Sequence, residues 1–327
     1  MFRTALKWGC VVLVTALVGC DKSETSQSTP TTQNSGTKVQ LTLDWKPEPE
    51  FGGFYAAQQS GAFSKNGLDV TIKSAGEGAP TWQLVATGKT EFATTAADQV
   101  LIARSQGADV VALFTVYQTF PQGIMVHESR GFTKIDDVFK NPGTLAAEDN
   151  TWLHYCLDKF PNPKVTVTGY SGGVAAFLAK KDYSQQCFIT SEPILAAKER
   201  ADVQTFLISD TGYNPYTTVV ICSGDWAKKN SAQVKGMIAA CKEGWRAYQD
   251  NPSSANTEMG KLNTDMDAAT FSAAATAQKA LVEPAGSKPE DLGTMTPARW
   301  DELSAQLVKL KVIPKAIPAA ECVFQNQ

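Results

Sequence analysis

The sequence predicts an α/β protein made of two doubly wound lobes with a ligand cleft between them. Three observations carry this expectation. From Lys38 onward, short β-rich runs alternate with amphipathic helical runs, the rhythm of βα units around a largely parallel sheet. Two such series follow one another and then give way to an almost purely helical stretch after Asp225. The chain has 327 residues, 43% of them hydrophobic, enough for two separate cores.

In the first series, residues 39–43, 68–72, 91–95 and 110–117 read as strands, and 51–63, 81–87 and 98–106 as helices. In the second, the strands are 123–127, 144–147, 165–168, 188–190 and 205–208, with helices at 151–160, 174–181 and 193–201. Residues 217–222 form a further strand. Beyond it, 232–249 places Val234, Met237, Ile238, Cys241 and Trp245 on one stripe, and 268–281 and 297–310 are two more helices. The last of these opens with Thr296 in the N-cap position and Pro297 at the first helical position. No repeat of solenoid period is present.

The amino terminus reads as a targeting segment. Arg3 and Lys7 precede an apolar run, 8–18, that is too short to span a bilayer. It ends in Leu17-Val18-Gly19-Cys20, which resembles the lipobox of bacterial lipoproteins. Residues 1–19 are therefore expected to be a signal peptide and Cys20 the lipidated residue. Residues 21–37 hold nine Ser or Thr and no apolar side chain, so 20–37 is expected to be a flexible tether. The implied location is outside the cytoplasm, anchored to a membrane through the lipid alone.

Composition narrows the function. A net charge of -3 with 19% charged residues excludes disordered and collagen-like classes, and gives no basic patch for nucleic acid. His127 and His154 are the only histidines, too few for most zinc sites or histidine triads, so no metal and no cofactor is expected. Cys156, Cys187, Cys222, Cys241 and Cys322 remain after the leader and Cys20. Export permits bridges such as Cys156 with Cys187 or Cys222 with Cys241; free buried thiols are the alternative.

In open α/β sheets, ligands sit beyond the carboxyl ends of the strands. Those positions hold the loop Asp44-Trp45-Lys46-Pro47-Glu48-Pro49-Glu50-Phe51, the turn around Gly78, Asp98, Gln118, Glu148 with Trp152 nearby, Tyr170 and Glu192. This set is aromatic and acidic. The six arginines, Arg3, Arg104, Arg130, Arg200, Arg246 and Arg299, all lie outside these loops. A flat heterocycle bearing amino groups suits such residues better than an oxyanion, because rings stack on Trp and Tyr while carboxylates accept from N–H groups. Some positions also have structural readings: Asp98 as a helix cap, Trp45 as a lid on the core.

The chain resembles solute-binding proteins of ABC importers. The likeness rests on Asp44-Trp45 followed by Gly52-Gly53-Phe54-Tyr55-Ala56-Ala57, Gly61-Ala62-Phe63, Gly67-Leu68-Asp69-Val70, Gly107-Ala108-Asp109-Val110 and Ile189-Thr190-Ser191-Glu192-Pro193. It is similar to the branch that binds aliphatic sulfonates and thiamine-pyrimidine precursors. The resemblance implies a type II periplasmic-binding fold with two hinge crossings, near 118–123 and 210–217. Lobe one would then combine 38–119 with 216–327, and lobe two would be 120–215. It also implies closure around a small ligand and presentation to an ABC permease and ATPase, by a protein expected to be a monomer. The ligand expected is a heteroaromatic such as a thiamine-pyrimidine precursor, with Trp45 and Tyr170 stacking on the ring and Asp44 and Glu192 accepting its amino hydrogens. Alternatives are a sulfonate- or nitrate-type anion, riboflavin, a sensor lipoprotein, or a pyrimidine-synthase-like enzyme, although the family's synthase signature is missing here.

Overall fold

The structure, a computed structural model, describes residues 36–76 and 79–325. The expected leader 1–19, Cys20, the tether up to residue 35, and Gly78 lie outside the described residues. Thr37, expected at the end of the tether, already pairs with Leu68 in the first sheet.

Among the described residues, ten strands form two five-stranded sheets. β1 (Thr37–Leu43), β2 (Leu68–Ser74), β3 (Phe92–Thr95) and β4 (Val110–Tyr117) enter the first sheet. The chain then leaves for the second, made of β5 (Gln122–His127), β6 (Gly143–Ala146), β7 (Val165–Thr168), β8 (Tyr183–Phe188) and β9 (Val203–Leu207). It returns to the first sheet as β10 (Thr217–Ser223). The orders are β2-β1-β3-β10-β4 and β7-β6-β8-β5-β9. β1 is parallel to β2 and β3, and β6 is parallel to β7 and β8. β10 and β5, the strands that arrive by a crossing, are antiparallel to both of their neighbours. The two sheets are thus built to one plan and exchange one strand connection in each direction.

Sequence explains much of this. β4 is a nearly unbroken apolar run, as a strand covered on both faces requires, and it is almost entirely buried. The helix Ser231–Asp250 buries the stripe Val234, Met237, Cys241, Trp245 and Tyr248 against the helix Gly52–Gln59. Gly52 and Gly53 permit that approach, because a Cβ on either would enter the rings of Tyr248 or Trp245. Within the part of the chain that resembles importer receptors, this glycine pair therefore serves helix packing. Thr296 does stand at the N-cap of helix Pro297–Lys309, but its side chain makes no capping bond; its amide donates instead to Tyr216 Oη at 2.9 Å.

One strand differs from expectation. Residues 188–190 were expected to be a strand, yet β8 runs over Tyr183–Phe188 and is the central strand of its sheet. Its Ser-Gln-Gln core hides it from a hydrophobicity pattern. Those polar side chains are buried and satisfied: Arg130 Nη1 donates to Ser184 Oγ at 2.7 Å, Gln185 Nε2 donates to the Gly173 carbonyl at 2.9 Å, and Gln186 Oε1 accepts from the Glu148 amide at 2.7 Å. The bridges considered for Cys156, Cys187, Cys222 and Cys241 do not form; these four and Cys322 are free and buried. Burial pushes the Cys156 thiol up to about 12, so it stays protonated and inert.

The two crossings, 118–121 and 208–216, are held together by Arg299 from the carboxyl-terminal helix Pro297–Lys309. Its guanidinium donates to the Gln118 carbonyl at 2.6 Å, to the Asn214 carbonyl at 2.7 Å and to Asn214 Oδ1 at 2.9 Å, and lies 3.9 Å from the Tyr216 ring centroid. Asn214 Oδ1 also accepts from the Phe120 amide at 2.8 Å, so each crossing touches the other. One core cluster passes through this region, taking in Phe120, Tyr213 and Tyr216 along with residues of both lobes. A lysine at position 299 has no planar fork to reach both crossings. Arg299→Lys is expected to lower stability by about 2–3 kcal/mol in equilibrium urea unfolding; a variant as stable as the parent would contradict this role.

Candidate functional site

The site is built on the carboxyl ends of the strands. Asp44 follows β1 directly, and its carboxylate accepts from the Thr94 hydroxyl of β3 while its own amide donates to Thr94 Oγ1 at 3.0 Å. Desolvation raises its carboxyl above the usual range, and the Thr94 hydrogen bond offsets part of that rise. Trp45 is half-buried against the first lobe's core, with its carbonyl accepting from Ser74 Oγ at 2.7 Å. The chain then enters a one-turn 3₁₀ helix, Pro49–Phe51.

Glu50 in that turn was not singled out from sequence. Its carboxyl is pushed well above the ordinary 4.5, first by desolvation and then by the charges of Glu48, Asp44 and Glu192. Glu192 belongs to the other lobe, so acidic groups from both lobes act on one another here. The sequence signal was the spacing Glu48-Pro49-Glu50 inside a loop already flagged as a strand end.

On the second lobe, Glu192 opens the helix Glu192–Lys198. Both of its oxygens are engaged: Oε1 accepts from Tyr170 Oη at 3.0 Å and Oε2 from the Phe188 amide at 2.8 Å. These bonds fix the carboxylate and leave lone pairs on each oxygen for a further donor. Desolvation raises its carboxyl too, with these hydrogen bonds opposing the rise. Tyr170 is therefore tied edge-on to Glu192, and desolvation by its surroundings followed by the Glu192 charge pushes its phenol upward. Glu148 is exposed at the end of β6 and, with Tyr170, Leu153, His154 and Val167, lines a concavity of about 460 Å³.

The charges and hydrogen bonds link Asp44 and Glu50 of the first lobe with Glu148, Tyr170 and Glu192 of the second, while Trp45 adjoins Asp44 in the chain and packs on the first lobe's core. The structure does not bring the other expected residues into this group. Phe51 has no exposed surface and fills the first core, and Trp152, 3% exposed, is packed in the cluster that spans the lobes. Asp98 gives one oxygen to the Gln99 amide at 2.8 Å and the other to Tyr213 Oη at 3.2 Å, so it braces the second crossing. The Gln118 amide group donates to the Thr294 carbonyl at 2.9 Å and likewise serves a crossing. Gly78 lies outside the described residues.

His127 stands outside this group, whereas His154 lines the same concavity as Glu148 and Tyr170. His127 is fully buried, with Nδ1 2.8 Å from Asp202 and Nε2 2.9 Å from the Phe177 carbonyl, and His154 pairs with Asp149 at 2.6 Å. Four arginines are committed elsewhere: Arg104 to Asp109, Arg130 to Ser184 and Pro142, Arg246 to Glu283, Arg299 to the crossings. Among the described residues no group of three or more His, Cys, Asp or Glu is placed to hold a metal ion.

Two sheets of matching order, two crossings and acidic groups facing from both sides define a two-lobed type II periplasmic-binding fold. The chain belongs to the NMT1/THI5-like family, whose sequence profile matches residues 48–255. It is 24% identical over 240 residues to the formylaminopyrimidine-binding protein of Halalkalibacterium halodurans, covering 71% of this chain and 72% of that one. A shorter match, 29% identical over 119 residues, joins it to the riboflavin-binding protein RibY of Chloroflexus aurantiacus, covering 35% of this chain and 33% of that one. Among solved structures it is similar in fold to the periplasmic aliphatic sulphonate binding protein SsuA of Escherichia coli, with TM-score 0.68, 13% identity, and 89% and 92% of the two chains covered.

The raised carboxyl of Glu50 has a stability consequence with a definite sign. A carboxyl raised in the folded state stabilises fully below its unfolded value, and this is lost as pH climbs from about 4.5 through the raised value. Glu50→Gln removes the loss. At pH 7 the variant is expected to melt at a higher temperature than the parent in a thermal-unfolding scan, and near pH 4 the two proteins should melt alike. A gain of equal size at both pH values would contradict the assignment.

Proposed function

We propose that this protein is the solute-binding receptor of an ABC importer, and that its ligand is a small heteroaromatic bearing amino groups, of the thiamine-pyrimidine-precursor class. The observation that carries this reading is the acidic meeting of the lobes at Asp44, Glu50 and Glu192, with the arginines Arg104, Arg130, Arg246 and Arg299 bound elsewhere. Carboxylates held partly out of water need N–H donors, and an aminopyrimidine supplies them. A sulfonate or nitrate would meet like charge there, so the fold likeness to SsuA does not extend to its ligand in this proposal. The similarity to a formylaminopyrimidine binder supports the same ligand class.

In this reading Trp45 offers a face for the ring, Asp44 and Glu50 of the first lobe and Glu192 of the second accept the amino hydrogens, and Tyr170 holds Glu192 in place. Hinge motion at the two crossings closes the lobes on the ligand. In this reading the protein acts by binding, as its formylaminopyrimidine-binding and sulphonate-binding relatives do. The lipobox at Cys20 supports tethering at a membrane outside the cytoplasm, where a lipid anchor keeps the receptor near its permease and ATPase.

A thermal-shift panel of hydroxymethylpyrimidine, formylaminopyrimidine, thiamine, riboflavin, taurine and nitrate tests the ligand class. A ligand present at about 100 times its Kd adds ~2.7 kcal/mol of stability. Stabilisation by an aminopyrimidine is expected, and Trp45→Ala should weaken that binding by about 10- to 100-fold if the ring stacks there. Stabilisation by taurine or nitrate alone would contradict the proposal.

A further inference from the structure

We infer that Lys198 is a latch between the lobes, and that it sets ligand affinity from outside the cleft by holding the closed arrangement. Lys198 is the last residue of the helix Glu192–Lys198 on the second lobe. Its Nζ lies 2.5 Å from Asp267 Oδ2 and 2.9 Å from Thr270 Oγ1. Both partners belong to the start of the helix Ala268–Ala277, which packs on the first lobe's turn Pro49–Phe51.

Asp267 is already a helix cap: its Oδ1 accepts from the Thr270 amide at 2.8 Å and the Thr270 hydroxyl at 2.7 Å. The ammonium of Lys198 and these hydrogen bonds hold its carboxyl below the usual range. The latch is therefore a charge-assisted bond on a rigid mount at each end. On one side the mount carries Glu192 into the cleft wall; on the other it lies against the turn that carries Glu50.

The position of this bond relative to the hinge gives it leverage. The far end of helix Ala268–Ala277 is fastened at the first crossing: Tyr117 Oη donates to Gln278 Oε1 at 2.7 Å, and the amides of Gln118 and Thr119 donate to the Leu281 carbonyl at 2.9 and 3.0 Å. Asp267 and Gln278 are separated by eleven residues, about 16 Å along a helix at 1.5 Å per residue. At that lever a rotation of about 20° at the crossing would part Lys198 from Asp267 by roughly 5 Å, beyond hydrogen-bond reach. A second ion pair between the lobes, Lys309 with Asp158 at 2.7 Å, is placed differently. One turn before it on each helix, Gln306 donates to the Gly212 carbonyl and Tyr155 to the Thr211 carbonyl, so this pair sits at the second crossing itself and is little disturbed by rotation.

Any interaction made only when the lobes are closed raises the closed fraction and tightens apparent binding in proportion. Lys198 and Asp267 are 40% and 61% exposed, which limits the effect to that of a surface pair, roughly two- to fivefold. The inference rests on the reading that the protein closes on a ligand. Its test therefore includes one arm that needs no ligand.

The variants are Lys198→Gln and Asp267→Asn, the latter keeping the helix cap, with Lys198→Arg as rescue and Lys309→Gln as control. Solution X-ray scattering of the unliganded protein should give a larger radius of gyration for Lys198→Gln and Asp267→Asn than for the parent or Lys309→Gln. With formylaminopyrimidine as the probe, the two latch variants should release ligand about two- to fivefold faster. The double variant should be no worse than either single, and Lys198→Arg should restore the parent rate. The difference should shrink in ~1 M salt, where the Debye length is about 3 Å. Unchanged scattering in both latch variants, or release rates equal to the parent's, would overturn the latch. If formylaminopyrimidine binds none of the proteins, the ligand reading fails while the scattering result still decides the latch.

Discussion

The guanidinium of Arg299 gathers the two chain crossings at one place, through the carbonyls of Gln118 and Asn214, the side chain of Asn214 and the ring of Tyr216. Everything that the cleft can do depends on this constraint. The acidic groups come from separate sheets, and no strand is shared between those sheets. The crossings are the chain links that set how one lobe faces the other, and the ion pairs Lys198–Asp267 and Lys309–Asp158 add to them. A planar fork with donors on two edges suits this task, since it bonds two backbone segments at once while stacking on a third group. Asp98 and Gln118 serve the same region, through Tyr213 and Thr294 respectively. Two residues expected at the ligand therefore support the hinge.

The electrostatics of the cleft follow from what the fold leaves unpaired. Arg104, Arg130, Arg246 and Arg299 hold carboxylates, hydroxyls or carbonyls elsewhere, while Asp44, Glu50 and Glu192 converge with desolvation working against all three charges. Like charges brought together in a desolvated space favour uptake of protons or of a ligand that carries N–H donors. Tyr170 and the Phe188 amide fix the direction of the Glu192 carboxylate, which in the proposed reading readies it for a ligand. Pre-orientation of this kind reduces the ordering cost of binding.

Much of the architecture was legible in the sequence because hydrophobic periodicity reports burial. β4, β7 and the buried stripe of helix Ser231–Asp250 stand within a residue or so of where periodicity put them. β8 escaped because its buried positions are Ser184, Gln185 and Gln186, satisfied by groups far away in the chain that a local pattern does not register. The strand-end rule pointed to Asp44, Tyr170 and Glu192, which the proposal keeps, but residue type alone did not separate an exposed aromatic from a core residue. Phe51 and Trp152 have the same aromatic character as Trp45, and only their burial tells them apart. Glu50 was missed for the opposite reason: an acidic residue in a proline-rich loop looks like ordinary solvated surface until Glu192 of the other lobe is brought up to it. His127, at the end of an apolar strand, is fully buried with an acceptor at each ring nitrogen.

The central claim is that carboxylates from both lobes, and not cationic groups, receive the ligand. A crystal structure with formylaminopyrimidine bound tests it most directly. The account predicts a ring lying on Trp45, with amino nitrogens about 2.7–3.2 Å from oxygens of Asp44, Glu50 or Glu192, at least one from each lobe. A ligand seated away from these carboxylates, or held by arginine or lysine side chains, would contradict it.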